Sequence, residues 1–441
     1  QALPCCMRGV RAPSVSRLQR TRQPGVFSRS IHAMLRTSLL VAGTVIVHQQ
    51  WGRIGSRVPL RRGTCSPARA FAPFTPQCVG ALSGTAVVSA LPDGARHGKP
   101  GASPRLIGTH DGTFHCDEVL ACALLKLLPE YEDAVVVRSR DPAVLAACDV
   151  VVDVGAVCDP ACFRFDHHQS SFTEVMSELG HKTKLSSAGL VYRHFGTRAV
   201  ARLAAVARAQ GGGEDVAEPD IDAIFRKVYR SFVEAIDGID NGVEAYDGGV
   251  RNYDVTTTLG DRVSALNPRW NQPTEVEDVN ARFAAAVALA GEEFAAAVEV
   301  AVNSWWPARA LVGAALDSAV ELHPSRQILE LVRPCPWASH LVQLELEREA
   351  AGDVAVRGAA KYVLFPDTRG GGWRVQAVPL AEKSFETRRP LPLAWRGVRD
   401  EQLSELLGLE GCIFVHSSGF IGGHRTREGV IEMARRALSP S

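Results

Sequence analysis

Between residues 105 and 168 the chain alternates short β-branched runs with stretches of helical period. "RLIGTH" (105–110), "AVVVRSR" (134–140) and "DVVVDVG" (149–155) have the length and composition of strands. Between the first two, "HCDEVLACALLKLLPEY" (115–131) places apolar residues at 119, 120, 123, 124, 127 and 128. That spacing predicts a helix. A shorter helix fits at 142–147, and "CFRFDHH" (162–168) reads as a further strand running into a loop. Strands separated by helices predict a parallel sheet with helices on its faces. Ligands in such sheets bind beyond the carboxyl ends of the strands.

Helical patterns continue from Ser187 to about Leu322, with "GGGEDVAEP" (211–219) as an exposed turn between helices. Past Pro324 the pattern changes. "RQILELV" (326–332), "KYVLFPD" (361–367), "WRVQAVPL" (373–380) and "CIFVHSSG" (412–419) read as strands, with Gly370–Gly372 as a hairpin turn. A last helix is expected near Thr426, its N-cap. These patterns divide the chain at 105–315, a parallel-sheet α/β unit with a helical insertion, and 316–441, a smaller α+β unit.

Charge separates a third segment. Residues 1–104 hold 14 Lys and Arg against one acid, Asp93, while the remainder holds 35 basic and 47 acidic residues. An acid-poor, Arg- and Ser-rich start is the composition of an organelle presequence. The expectation is a disordered targeting leader over 1–104, for a mitochondrion rather than a plastid. "LLVAGTVIV" (39–47) is shorter than the roughly 20 residues a membrane span needs. "RAFAPF" (69–74) resembles the cleavage region of two-part plastid leaders. No membrane helix is expected elsewhere. Eleven cysteines without a repeating framework argue against a disulfide scaffold.

The predicted strand ends carry a recurrent chemistry. His110 closes the first, His115 and Asp117 follow it, Asp153 ends the third, and Asp166, His167 and His168 follow the fourth. Asp237 and Asp240 stand in "EAIDGIDNGV" (234–243). Each has an ordinary explanation. Asp117 and Glu118 suit a helix N-terminus, and Asp166 suits a turn. Together they form a set of acids and imidazoles that needs a cation to be buried. Mixed Asp and His donors suit Mn²⁺, Mg²⁺ or Zn²⁺. Several acids able to bridge suggest two ions, an arrangement that serves phosphoryl transfer.

"IGTHDGTFHCDEVLACALL", "VVDVGA", "FRFDHHQ", "SSAGLVYRHFG", "AIDGIDNGV" and "GFIGGHRTREG" together resemble the MYG exonuclease family of the DHH phosphoesterase superfamily. The likeness runs from about Leu106 to Ala437. It implies a DHH-type first domain and a metal-dependent 3′→5′ exonuclease acting on RNA, in mitochondria and, for some members, the nucleus. It implies His110, Asp117, Asp153, His167 and Asp240 as ligands of two divalent ions, Mn²⁺ foremost. His115 stands where the superfamily commonly has Asp, as a ligand or beside the ligands. Asp166 would bridge or support the pair, and His168 would polarise a phosphate oxygen.

The closing motif, "SSGFIGGHRTREG" (417–429), reads independently as a glycine turn before a helix. Its amides and the helix dipole would make an anion site. Gly422, Gly423, His424, Arg425 and Arg427 are the expected contacts to substrate, matching the superfamily's Gly-Gly-His element. Lys383, Arg388 and Arg389 could assist. The net acidity after residue 104 disfavours long-range attraction of RNA, and a short oligonucleotide needs fewer phosphate contacts. Two alternatives stay open: a small-molecule phosphoesterase and a non-catalytic RNA-binding scaffold. A zinc deaminase needs His-x-Glu and Pro-Cys-x-x-Cys; the chain has His115-x-Asp117 and Cys158-x3-Cys162 instead. Oligomeric state is not encoded in any pattern found.

Overall fold

Five strands of the first sheet run parallel, as the alternation predicts, but the sheet has more strands than the alternation shows. The structure is a computed structural model describing residues 80–92, 104–211, 219–245, 253–368, 370–382 and 384–439. The expected turn at 212–218, Lys383 and the leader up to 79 and over 93–103 lie outside the described residues. Strands β1 (Val87–Val88), β2 (Leu106–Thr109), β3 (Val135–Arg138), β4 (Val150–Val152), β5 (Cys158–Asp159) and β6 (Arg164–Phe165) lie in the order β1-β3-β2-β4-β6-β5. Only β5 is antiparallel, against β6. The central β2 is buried along its length, between β3 and β4.

β1 corrects the expectation that residues 1–104 are all leader. It pairs with β3 through Val87–Val136 and Val88–Val137. Leu82, in the short 3-10 turn before it, is fully buried in the main core. Two valines and one leucine inside an acid-poor segment give no periodic signal, yet the valines complete the sheet edge and the leucine fills the core.

Helix α1 (Cys116–Lys126) joins β2 to β3, and α2 (Pro142–Ala146) joins β3 to β4. α2 starts where Asp141 accepts a hydrogen bond from the Ala143 amide and Pro142 fixes the first turn. α1 is buried on nearly all sides: Val119, Leu120, Leu124 and Leu125 have no exposure. Each such side chain contributes about 1.5–3 kcal/mol. It packs against α3 (Ser187–Gly211), which also carries α4 (Ile221–Val228), and against α5 (Glu234–Asp240), α6 (Leu259–Ser264) and α7 (Val276–Val300). A π-helical turn, Tyr229–Val233, joins α4 to α5.

Core membership changes along helix α8 (Trp306–Leu322): Trp306 packs against the first core, whereas Val312, Leu316 and Ala319 pack with the second sheet. That sheet comprises β7 (Ile328–Glu330), β8 (Tyr362–Pro366), β9 (Trp373–Ala377), β10 (Cys412–Val415) and β11 (Ile421–His424) in the order β10-β11-β9-β8-β7. β7 and β8 are parallel and the others antiparallel. Alternation sends Tyr362 and Leu364 to one face and Val363 to the other. Helices α8 and α9 (Ala338–Ala350) cover the second face, and α10 (Asp400–Leu407) and α11 (Arg427–Leu438) the first.

β11 is a second correction. The sequence reads 417–429 as a turn, but Ile421–His424 pairs with both β10 and β9. Gly-Gly has little intrinsic preference for a strand. Here the missing side chains make room: a β-carbon on Gly422 would crowd Leu391 and Met433, and one on Gly423 would crowd Arg374 and Phe414. No helix among the described residues is long and apolar enough to cross a membrane. The seven described cysteines, from Cys116 to Cys412, are free thiols.

Candidate metal centre

Three of the parallel strands, β2, β4 and β6, are followed at one edge by polar side chains that meet there. His110 follows β2. His115 caps α1, whose first turn carries Asp117 and Glu118. Asp153 follows β4, and Asp166, His167 and His168 follow β6. Asp240 arrives from elsewhere, as the last residue of α5. Asn241 fixes that helix end by donating to the Lys184 and Asp237 carbonyls at 3.0 and 2.9 Å.

These groups converge. His167 Nε2 lies 3.1 Å from Asp240, 3.3 Å from Asp153 and 3.8 Å from Asp117. His110 Nε2 lies 3.0 Å from Glu118 and 3.4 Å from Asp153. Four overlapping triads have their donor atoms within 4.8 Å of one another: His110, His115 and Glu118; Asp153, His167 and His168; His115, Asp117 and Asp240; and Asp117, Glu118 and Asp153. Asp153 takes part in two of them, at a φ of 58°. This left-handed residue turns the chain sharply off the end of β4.

The cluster is short of positive charge. Burial, then the neighbouring Asp153, Glu118 and Asp240, push the Asp117 carboxyl well above the usual range. Burial pulls His110 and His167 down, but Asp153 with Glu118, and Asp153 with Asp240, reverse this and raise each to about 9. Burial would raise Asp153; His110 and His167 instead hold it at about 2. Without another cation, the site draws protons onto its histidines.

Several buried donor atoms make no directed hydrogen bond: Asp117 Oδ1, Asp153 Oδ1 and both His167 ring nitrogens. Buried polar atoms are normally satisfied, so an inward-facing set of oxygens and imidazole nitrogens left open fits a divalent cation. The remaining Asp117 oxygen is held by the Ser187 hydroxyl at 2.7 Å.

Glu118 is a member that sequence reasoning missed. An acid in a first helical turn has a sufficient explanation in the helix dipole. It does cap α1, accepting from the His115 amide at 2.9 Å, but its buried carboxylate also faces His110. Asp237 is fully buried and organises the neighbourhood. It accepts from Ser186 N and Oγ at 2.9 and 2.8 Å, from Gly189 N at 3.0 Å and from Tyr229 Oη at 3.0 Å. Burial raises it to about 7 against those donors.

Asp166, expected to bridge or support the pair, is engaged by its own neighbours. One oxygen accepts from the Ala156 amide at 2.6 Å; the other faces the His168 amide at 3.0 Å and His168 Nδ1 at 2.8 Å. Both oxygens are occupied in tying the Asp153 turn to His168. The His168 side chain is 62% exposed, so its ring is available to a ligand.

The closing motif is not at this edge. Gly422, Gly423, His424, Arg425 and Arg427 line neither cavity that opens onto the cluster. His424 is buried in β11, and both ring nitrogens are engaged: Nε2 with the Glu410 carbonyl at 3.0 Å and Nδ1 with the Thr426 amide at 3.0 Å. Arg427 forms a two-pronged pair with Glu330, at 2.5 and 2.6 Å. Arg388 does the same with the buried Glu345, at 2.7 Å. Arg389 Nη2 reaches the Ser439 carbonyl at 3.4 Å, and Arg425 is exposed. Thr426 caps α11 as expected, accepting from Gly429 N at 3.1 Å.

This is an α/β fold whose parallel strands end in a buried cluster of carboxylates and imidazoles with the donor set to fit a divalent cation. The MYG1 exonuclease family model, described as an uncharacterised protein family (UPF0160), matches residues 106–438. The MYG1 exonucleases of Bos taurus and Homo sapiens are 50% and 48% identical to the chain over 342 residues. Those alignments span 76% of this chain and 85% and 86% of theirs. A MYG1 protein of Saccharomyces cerevisiae is 41% identical over 339 residues, 76% of this chain and 95% of its own. The chain belongs to the MYG1 exonuclease family. No solved structure matches it.

Proposed function

We propose that the chain is a metal-dependent 3′→5′ exonuclease acting on RNA, built on a DHH-type domain and serving RNA turnover in a mitochondrion. The observation that carries this is the meeting of His110, Asp117, Asp153, His167 and Asp240 around open, buried donor atoms. The names of the relatives support nuclease chemistry. Two divalent ions, Mn²⁺ before Mg²⁺ or Zn²⁺, fit the overlapping triads, with His115 and Glu118 completing the donor set. When bound, such ions make water a nucleophile near neutral pH and neutralise charge building on phosphate.

The chain's own residues do the remainder. Asp153 presents its carboxylate from a fixed turn, and Ser187 orients Asp117. Asp166 holds His168 by Nδ1, aiming the ring's other edge at a phosphate oxygen. His168 then acts as donor to that oxygen. Arg425 is left as the exposed cation of the closing motif for the nucleotide chain.

The test is an oligoribonucleotide carrying a 3′ label, with and without Mn²⁺. Labelled mononucleotide should appear first, only with metal, and Asp153→Asn or Asp240→Asn should abolish it. Loss of a 5′ label first would reverse the polarity. Cleavage of pyrophosphate in place of oligomers would favour the small-molecule alternative; RNA binding without cleavage would favour the scaffold. Import of a fluorescent fusion of residues 1–104 into mitochondria tests the location.

A further inference from the structure

Two cavities open onto the metal cluster, and they share three of its residues: His115, Asp153 and His168. They differ in chemistry. The smaller, of about 540 Å³, runs past Lys184, Asn241, Thr258 and Asp261. The larger, of about 900 Å³, is walled by Leu145, Ala146, Val154 and Val157, with Arg140 and Arg164 among its lining. Both volumes fall in the range of small-ligand sites, and apolar walls with a few polar groups are their usual lining.

A ligand centred on His115, Asp153 and His168 can therefore extend two unlike arms. For a phosphodiester, one arm is a flat base on its sugar and the other is the continuing, charged backbone. The base matches the larger cavity, where aliphatic side chains meet one ring face and a guanidinium can stack on another. The backbone matches the smaller cavity, where Lys184 offers a cation.

We propose that the cavity bounded by Leu145, Ala146, Val154 and Val157 seats the terminal nucleoside of the substrate, and that the Lys184 side receives the adjoining phosphate. The assignment rests on the nuclease reading of the metal centre. It concerns a different set of residues, so the two can fail separately. Ala146 and Val157 are exposed at the cavity wall, which allows substitution without disturbing the core.

The test compares binding of adenosine 5′-monophosphate and ribose 5-phosphate by calorimetry, with and without Mn²⁺. The full chain and the double variant Ala146→Gln/Val157→Gln are measured together. The parent should bind the nucleotide at least tenfold more tightly than the sugar phosphate. The double variant should lose most of that ratio, with Mn²⁺ affinity unchanged. Lys184→Ala should leave the ratio intact and raise the KM for an oligoribonucleotide at least fivefold. Equal affinities in the parent, or a ratio that survives the double variant, would overturn the proposal. A base preference without any metal binding or RNA cleavage would overturn the nuclease reading and leave the nucleoside site standing.

Discussion

The Ser187 hydroxyl donates to Asp117 Oδ2 at 2.7 Å, and the Ser187 amide approaches the same oxygen at 3.3 Å. The start of α3 thus grips one oxygen of a candidate ligand and leaves the buried Oδ1 without a hydrogen-bond partner. Groups that orient ligands in this way are typically worth about 10–100-fold in metal affinity. Ser187→Ala is expected to weaken Mn²⁺ binding by that order while the protein stays folded. Calorimetric titration alongside a melting curve checks both halves. Unchanged affinity would show that Asp117 is set by packing alone.

Asp117 itself is an unfavourable residue in the absence of a cation. Burial and three nearby carboxylates raise its pKa in the folded state. A carboxyl raised on folding stabilises below its unfolded pKa, and that contribution disappears as pH rises through the folded value. At pH 8, Asp117→Asn should therefore raise the Tm of metal-free protein. In the parent, metal at a hundredfold over its Kd should add about 2.7 kcal/mol of stability. The variant should lose most of that gain. A drop in metal-free Tm would argue that the carboxylate is needed for packing.

His340 should make the fold acid-sensitive. It is fully buried, stacks on Trp305 at 4.4 Å and faces the Trp305 carbonyl through Nε2 at 2.7 Å. Burial lowers it from 6.5 to about 4. The unfolded chain takes up the proton first. Stability from this group is thus complete above pH 6.5 and lost as pH falls through about 4, by about 3 kcal/mol. His340→Phe should flatten chemical-denaturation stability over that window, at a cost near neutrality for the lost hydrogen bond. An unaltered slope would place the acid sensitivity elsewhere.

Leu82 tests whether the residues ahead of β2 belong to the fold. It is fully buried and lies against Gly291 of α7, where an added β-carbon would meet it. Leu82→Ala should destabilise by about 2–5 kcal/mol, read from urea denaturation. A change within about 0.5 kcal/mol, the usual range for surface substitutions, would return this segment to the leader.

The sequence shows the site best where the backbone alone places it. His110, Asp153 and His167 follow apolar runs, and parallel strands must end together. Asp240 needed a family likeness, because a helix end can reach a sheet edge from many directions. Glu118 was hidden by its second role in capping α1. β1 escaped notice because two valines have no period, and β11 because Gly422 and Gly423 form a strand only through what Leu391, Met433 and Phe414 place against them. His424 and Arg427 looked like donors for a ligand. The Glu410 carbonyl engages His424 inside the fold, and Glu330, distant in sequence, pairs with Arg427 at the surface.

The left-handed backbone at Asp153 narrows what evolution can try there. Among side chains with a β-carbon, aspartate and asparagine tolerate that conformation with least penalty. A longer glutamate would carry both the conformational penalty and an extra methylene into a crowded edge. Replacement by asparagine would keep the turn and forfeit the charge. In this chain a ligand on a helix, such as Asp117, carries no such backbone constraint.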